Sequence, residues 1–237
     1  NFRQKIGSII YKIKYLNYFD AAWVPGYLGA KLMRSFGVPK KKIFQGLYCS
    51  NQKIFKKGIT ISKRQKTFLF VGNLIKTKGL VELVSSFKFF VSTNREWKLI
   101  IVGNGPLRKI IPKHSNIEYF SFKKPEEIVR LMKKSRFLVL PTYTDHWPLV
   151  INEATLCGCG LIISDIVGNI PELSNKKNSI ICKIASEKSL TTAFEKASKL
   201  SDSKLDIMFK ESVNLGSKFI ISNWVKNYHK ILKHLKN

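Results

Sequence analysis

Apolar residues along this chain recur in two rhythms that alternate. From about Lys66 onward, short runs rich in aromatic and β-branched residues recur, as in Phe68-Leu69-Phe70-Val71-Gly72, Trp97 to Val102, Ile117 to Phe120, Phe137 to Leu140 and Leu161 to Ser164. Such runs, closed by Gly, Pro or polar turns, predict buried strands. Between them lie stretches of helical period, over Lys78 to Val91, Leu107 to Ile111, Pro125 to Lys134 and Leu149 to Leu156. Pro125 and Pro148 sit where a helix opens and no N–H is needed, and Glu126 and Glu127 favour the positive end of the helix dipole. Strands alternating with helices predict βαβ units, hence an α/β fold with a doubly wound parallel sheet. The last fifty residues read as three helices, Ser186 to Leu200, Ser203 to Leu215 and Ile220 to Leu235.

The first fifty residues follow the same grammar in shorter form. A basic helix is predicted over residues 3–19, a strand over Ala21 to Pro25, a helix over Tyr27 to Phe36 stopped by Gly37, and a strand over Lys42 to Tyr48. Two or three βα units cannot cover a parallel sheet, so this part reads as the remnant of a domain. The domain expectation is residues 1–56 as that remnant, 57–216 as a complete Rossmann-like domain, and 217–237 as a helix crossing back.

Composition changes this picture in one respect. Of 237 residues, 42 are Lys or Arg and 15 are Asp or Glu, a net charge of +27, while the apolar share of 44% is ordinary for a globular protein. A charge this large attracts polyanions, either an anionic membrane or nucleic acid. The lysines are scattered rather than interleaved with aromatics, which argues for solvated faces with a membrane component and no specific nucleic-acid partner. No run of about eighteen apolar residues predicts a transmembrane helix, and no signal peptide is legible. The chain opens without Met, from which a fragment lacking its N-terminal domain is expected. Cys49, Cys157, Cys159 and Cys182 have no companion Cys or His at zinc spacing, so they read as core thiols in a reducing compartment, and no metal is expected.

The candidate chemistry gathers at Thr144-Asp145-His146-Trp147-Pro148-Leu149-Val150-Ile151-Asn152-Glu153-Ala154. Asp145 falls in the loop after a strand, and Glu153 lies eight residues on, inside the helix that opens near Pro148. Free N–H groups at that helix start suit a phosphate, and the two carboxylates can reach hydroxyls on either side of it. A nucleoside-diphosphate sugar has this order of sugar, diphosphate and ribose. The string continues through Cys157-Gly158, Leu161-Ile162-Ile163-Ser164-Asp165, Gly168 and Pro171-Glu172.

As an ordered string these residues resemble the C-terminal half of retaining GT-B glycosyltransferases. That large family carries Glu, seven residues, Glu, and includes bacterial polysaccharide and lipopolysaccharide enzymes. The resemblance spans roughly residues 20 to 230. It implies a GT-B type α/β fold and a hexosyltransferase-type activity that moves a sugar to a glycan or lipid-linked acceptor with retention of configuration. Gly72-Asn73-Leu74-Ile75-Lys76-Thr77-Lys78-Gly79 resembles the family's G-R-x4-K-G. Lys78 matches the diphosphate-contacting Lys, while Asn73 replaces the Arg. Gly103-Asn104-Gly105-Pro106 resembles its G-x-G-P turn. The resemblance implies that Gly72, Asn73, Lys78, Gly103 and Gly105, with Pro148 and the N–H groups of Leu149 and Val150, hold the donor. Glu153 would bind the ribose. Asp145 would bind the transferred sugar or steady charge on its ring. His146 either reaches that sugar or points to solvent, and Trp147 reads as a packing residue. The departing diphosphate would itself serve as base, so no protein nucleophile and no cofactor are implied. Location in the cytoplasm, peripheral at the inner membrane face, follows as an expectation. The alternatives are a non-catalytic basic module for nucleic acid or acidic membrane, and another GT-B enzyme such as a sugar-nucleotide epimerase.

Overall fold

The computed structural model describes residues 2–15 and 18–236. In chain order the elements are α1 (Phe2–Lys14), β1 (Ala22–Val24), α2 (Tyr27–Ser35), β2 (Ile43–Gln45), β3 (Gln65–Val71), α3 (Leu80–Val91), β4 (Lys98–Val102) and β5 (Ile117–Phe120). They continue with α4 (Pro125–Lys134), β6 (Ser135–Leu140), α5 (Leu149–Leu156), β7 (Gly160–Ser164), α6 (Ile170–Leu173), β8 (Ser179–Cys182), α7 (Glu187–Ser198), α8 (Asp202–Gly216) and α9 (Ile221–Lys236). Packing divides the chain into two units, one of residues 1–50 with 219–237 and one of residues 51–218.

The larger unit is a six-stranded parallel sheet in the order β5-β4-β3-β6-β7-β8. The order reverses between β3 and β6, which makes their carboxyl ends the topological switch point where α/β sheets bind ligands. Residues 67–70 of β3, 137–140 of β6 and all of β7 are buried, as expected of strands covered by helices on both faces. α3 packs on α7, and α5 packs on α8 and α4.

An aromatic cluster fills the core beside β3. The Phe68 ring lies 4.5 Å from both Trp97 and Phe194 and edge-on to Phe87 and Phe90. Each of these side chains is at most 1% exposed. On the other side, the buried Arg64 guanidinium has no carboxylate among its partners. It donates instead to the carbonyls of Met132, Ser135 and Cys157. Cys157 O lies at the C-terminal end of α5, where the dipole favours a cation, so Arg64 both stays satisfied and anchors that helix.

The expected elements appear with local differences, among them the strand expected over Lys42 to Tyr48, which is only Ile43–Gln45 and follows a 3-10 turn over Lys40–Lys42. The helix expected from Lys78 begins at Leu80, because Gly79 adopts φ +68° and interrupts it after a 3-10 turn over Lys76–Lys78. The helix expected over 107–111 is a 3-10 turn, Pro106–Ile110. The helix expected over 3–19 is α1, which ends at Lys14 and leaves residues 15, 18 and 19 outside it; the part of that expectation on residues 16 and 17 lies outside the described residues. Cys157, Cys159 and Cys182 are buried and all four cysteines are free. Gly160 has no room for a side chain, since a Cβ there would sit 2.7 Å from the Phe137 ring.

In the smaller unit β1 and β2 pair in parallel, and α9 packs beside them. Trp23 lies 4.8 Å from Trp224, whose indole N–H donates to Leu47 O at 2.9 Å.

The aromatic cluster gives a direct stability test. Phe68→Ala should cost about 3–5 kcal/mol in urea unfolding, whereas Phe89→Ala on the exposed side of α3 should stay within about 0.5 kcal/mol.

Candidate donor-binding site

The site is built from the loops that leave β3, β4 and β6 at their carboxyl ends. After β3 the chain runs through residues 72–79. Gly72 N–H donates to Val102 O, Leu74 N–H to Asn104 O and Leu107 N–H back to Leu74 O, which laces this loop to the one after β4. At Gly103, with φ +146°, a Cβ would lie 1.9 Å from Gly72 O, so only glycine allows the two loops to close on each other. The side of the loop facing β6 is equally tight. A Cβ on Gly79 would fall 2.0 Å from Pro141 O.

The loop after β6, residues 141–148, is fastened on both flanks. Tyr143 N–H donates to Thr77 O at 2.7 Å, and the Thr142 hydroxyl donates to the same carbonyl at 2.8 Å. From the β7 side, the Ser164 hydroxyl donates to Thr142 O and Gly168 N–H to Asp145 O. The buried Asn169 amide donates to Pro148 O at 3.2 Å. Backbone atoms on both sides of Asp145 are therefore held by neighbouring loops.

This framework brings Lys78 and Asp145 together. The Lys78 ammonium lies 2.5 Å from Asp145 Oδ2, with side chains 22% and 15% exposed. Among the described residues the other ion pairs, Lys42–Asp20, Lys66–Glu96 and Lys123–Glu127, are more open. Exposed pairs of that kind contribute about 0–1 kcal/mol. Lys78–Asp145 is anchored in a rigid corner. A Lys ammonium has three donors, so its pairing with Asp145 leaves N–H groups for an anion.

The start of α5 completes the corner. Pro148 caps it without a side-chain hydrogen bond, and the N–H groups of Leu149 and Val150 meet no acceptor among the described residues. Leu149, Val150 and Glu153 are the three positions of α5 that are not buried, so Glu153 lies on the same open stripe as the free amides. Side chains on a helix lean toward its N-terminus, which aims the Glu153 carboxyl at that end. The carboxyl has no hydrogen-bond or ion-pair partner among the described residues, and burial pushes its pKa up to about 7. An acceptor group in this condition is primed for ligand hydroxyls.

Of the remaining sequence candidates, Gly72, Gly103 and Gly105 form the laced loops, and Asn73 and His146 present exposed side chains. Trp147 is 8% exposed and packs inward. The sequence reading did not single out Thr77, Thr142 and Asn169, which fix the corner. Nor did it single out Tyr143, whose hydroxyl donates to Glu82, raising its pKa to about 12. Hydroxyl-to-carbonyl ties of this sort leave no periodic signal. No group of three His, Cys, Asp or Glu side chains suited to a metal occurs among the described residues.

The chain is similar in sequence and fold to known proteins. The profile of the family described as "Glycosyl transferases group 1" matches residues 51–214. An N,N'-diacetylbacillosaminyl-diphospho-undecaprenol alpha-1,3-N-acetylgalactosaminyltransferase from Campylobacter jejuni is 24% identical over 218 residues, covering 86% of this chain and 55% of that protein. A putative teichuronic acid biosynthesis glycosyltransferase from Bacillus subtilis is 27% identical over 181 residues, covering 76% and 42%. The chain thus spans about half the length of the curated relatives it matches. Among solved structures, Anabaena HepE in complex with UDP and glucose superposes with a TM-score of 0.73 at 12% identity, covering 98% of this chain and 67% of that one. The matched profile, the polysaccharide-synthesis relatives and the GT-B architecture agree: the chain belongs to the group 1 glycosyl transferases.

Proposed function

We propose that the larger unit binds a nucleoside-diphosphate sugar and supplies the donor half of a hexosyl transfer with retention of configuration. The observation that carries this reading is the Lys78–Asp145 pair held at the topological switch point. The diphosphate sits against the Lys78 ammonium and the N–H groups of Leu149 and Val150, with Asn73 adding a neutral hydrogen bond. Lysine and helix dipole both stabilise charge that develops on the departing diphosphate. Glu153 accepts hydrogen bonds from the ribose hydroxyls. Asp145 turns one oxygen to Lys78 and offers the other to the transferred sugar, and His146 stands exposed on the same loop. The diphosphate takes the acceptor's proton, which requires no protein nucleophile, metal or cofactor.

The UDP and glucose named for HepE favour a UDP-sugar, and the diphospho-undecaprenol in the name of the Campylobacter relative favours a lipid-linked acceptor in cell-surface polysaccharide synthesis. On this reading the work lies on the cytoplasmic side of the membrane, together with an acceptor-binding domain for which residues 1–56 supply only the end and to which residues 217–237 cross back.

Calorimetry with UDP-, GDP- and ADP-sugars tests the reading. Lys78→Ala should weaken the preferred nucleotide sugar about 10- to 100-fold, the loss of a charge-assisted hydrogen bond. Unchanged affinity removes Lys78 from the site.

The half-buried carboxyl of Glu153 sets a pH signature. Its folded pKa of about 7 exceeds the ordinary 4.5, so the folded chain holds a proton that the unfolded chain releases between these values. Stability therefore falls as pH rises through that window. Glu153→Gln should unfold at a higher temperature than the wild type at about pH 8, and the gap should shrink toward about pH 5. The same variant should bind the bare nucleoside diphosphate more weakly, because a neutral amide oxygen accepts less strongly than a carboxylate.

A further inference from the structure

The Lys78–Asp145 pair does more than present a cation. An anion drawn to the Lys78 ammonium also meets the Asp145 carboxylate, which lies 2.5 Å from that nitrogen. Both side chains are half-buried, so water screens their fields less than at an open surface. Backbone ties on either side keep the carboxylate there. Gly168 N–H donates to Asp145 O at 2.9 Å, and Tyr143 N–H, two residues earlier, is fastened to Thr77 O at 2.7 Å. Asp145 Oδ2 faces Lys78, and Oδ1 takes no hydrogen bond among the described residues. The corner therefore holds a partly neutralised cation with a fixed, open acceptor beside it.

On the donor-site reading proposed above, on which this inference rests, two ligands meet that corner unequally. An intact nucleoside-diphosphate sugar brings hydroxyls for Asp145 Oδ1. The nucleoside diphosphate released by transfer brings none, and its bare outer phosphate carries about one more negative charge near neutral pH. That added charge falls at the end where the sugar was, next to Asp145. We propose that Asp145 makes the site discriminate against bare nucleoside diphosphate in favour of the intact, sugar-bearing donor. Discrimination needs a repulsive element set against the wrong ligand as well as contacts to the right one. Lys78, the α5 amides and Glu153 cannot supply it, because they face groups that both ligands share. A fixed carboxylate supplies both at once: it accepts from the sugar and repels the uncovered phosphate. The spent nucleotide then leaves faster, and fresh donor refills the site in its presence.

The test is calorimetry of the full chain with UDP beside UDP-glucose, and with GDP beside GDP-mannose. For the pair that binds the wild type, Asp145→Asn should tighten the bare nucleoside diphosphate at least ~3-fold, as the repulsion is lifted and Lys78 is freed. The same variant should weaken the sugar-bearing ligand about 10-fold, the loss of hydrogen bonds to a charged acceptor. Asp145→Ser, which also removes the charge, should show the same gain for the bare diphosphate, and Asp145→Glu, which keeps the charge, should show little of it. The gain should shrink as salt rises toward about 0.5 M. Because the decisive result is a gain in affinity, a damaged fold cannot imitate it. If neither uncharged variant binds the bare diphosphate more tightly than the wild type does, the proposal is overturned; the donor reading survives that result when Lys78→Ala still weakens both ligands. A wild type that binds neither pair sinks the donor reading, and the discrimination with it.

Discussion

The carbonyl of Thr77 holds the candidate site together. It accepts from Tyr143 N–H and from the Thr142 hydroxyl, and so ties the loop after β3 to the loop after β6 across the point where strand order reverses. Neither loop is long or apolar enough to order itself. Tied together, they fix a lysine from one against an aspartate from the other. Part-buried hydrogen bonds of this kind contribute only about 1 kcal/mol each to stability, but breaking one leaves the buried Thr142 hydroxyl short of a partner at greater cost. That asymmetry makes the corner stiff without making it strong.

Stiffness at this corner also depends on events at the far end of α5. Arg64 takes the Cys157 carbonyl at 2.7 Å along with carbonyls near the end of α4, so the helix is pinned where its dipole is negative. Its other end is left open, with Leu149 and Val150 amides unclaimed and Glu153 on the same stripe. A helix anchored at one end and unsatisfied at the other is preorganised for an anion, and preorganisation lowers the cost of binding. The half-buried Glu153, unpartnered among the described residues, fits the same economy, since a group that lowers stability near neutral pH is retained where a ligand uses it.

Much of the fold was legible because parallel strands buried on both faces read as continuous apolar runs. Phe68 to Val71, Leu99 to Val102 and Phe137 to Leu140 announce themselves this way. β8 and α6 did not, because four residues are too few to display a period and Ser179 to Cys182 is only partly buried. The 3-10 turn at Lys76–Lys78 was hidden behind a helical pattern that a left-handed Gly79 interrupts. Of the candidate site, the ordered string from Asp145 to Glu172 pointed to the loops, yet side-chain pairing was invisible. That Lys78 would meet Asp145 depends on strand order, which sequence spacing does not encode. Likewise, the basic excess was plain from composition, but the packing of Ser8 and Tyr11 against Ser35 and Phe36 was not.

The central claim is that the open start of α5 receives the diphosphate of the donor. Backbone amide NMR of the full chain, titrated with a nucleoside diphosphate, tests it most directly. The account predicts downfield shifts of the Leu149 and Val150 N–H resonances that saturate with the binding isotherm, as new hydrogen bonds to phosphate form. Saturable binding that leaves those two amides unmoved would contradict it.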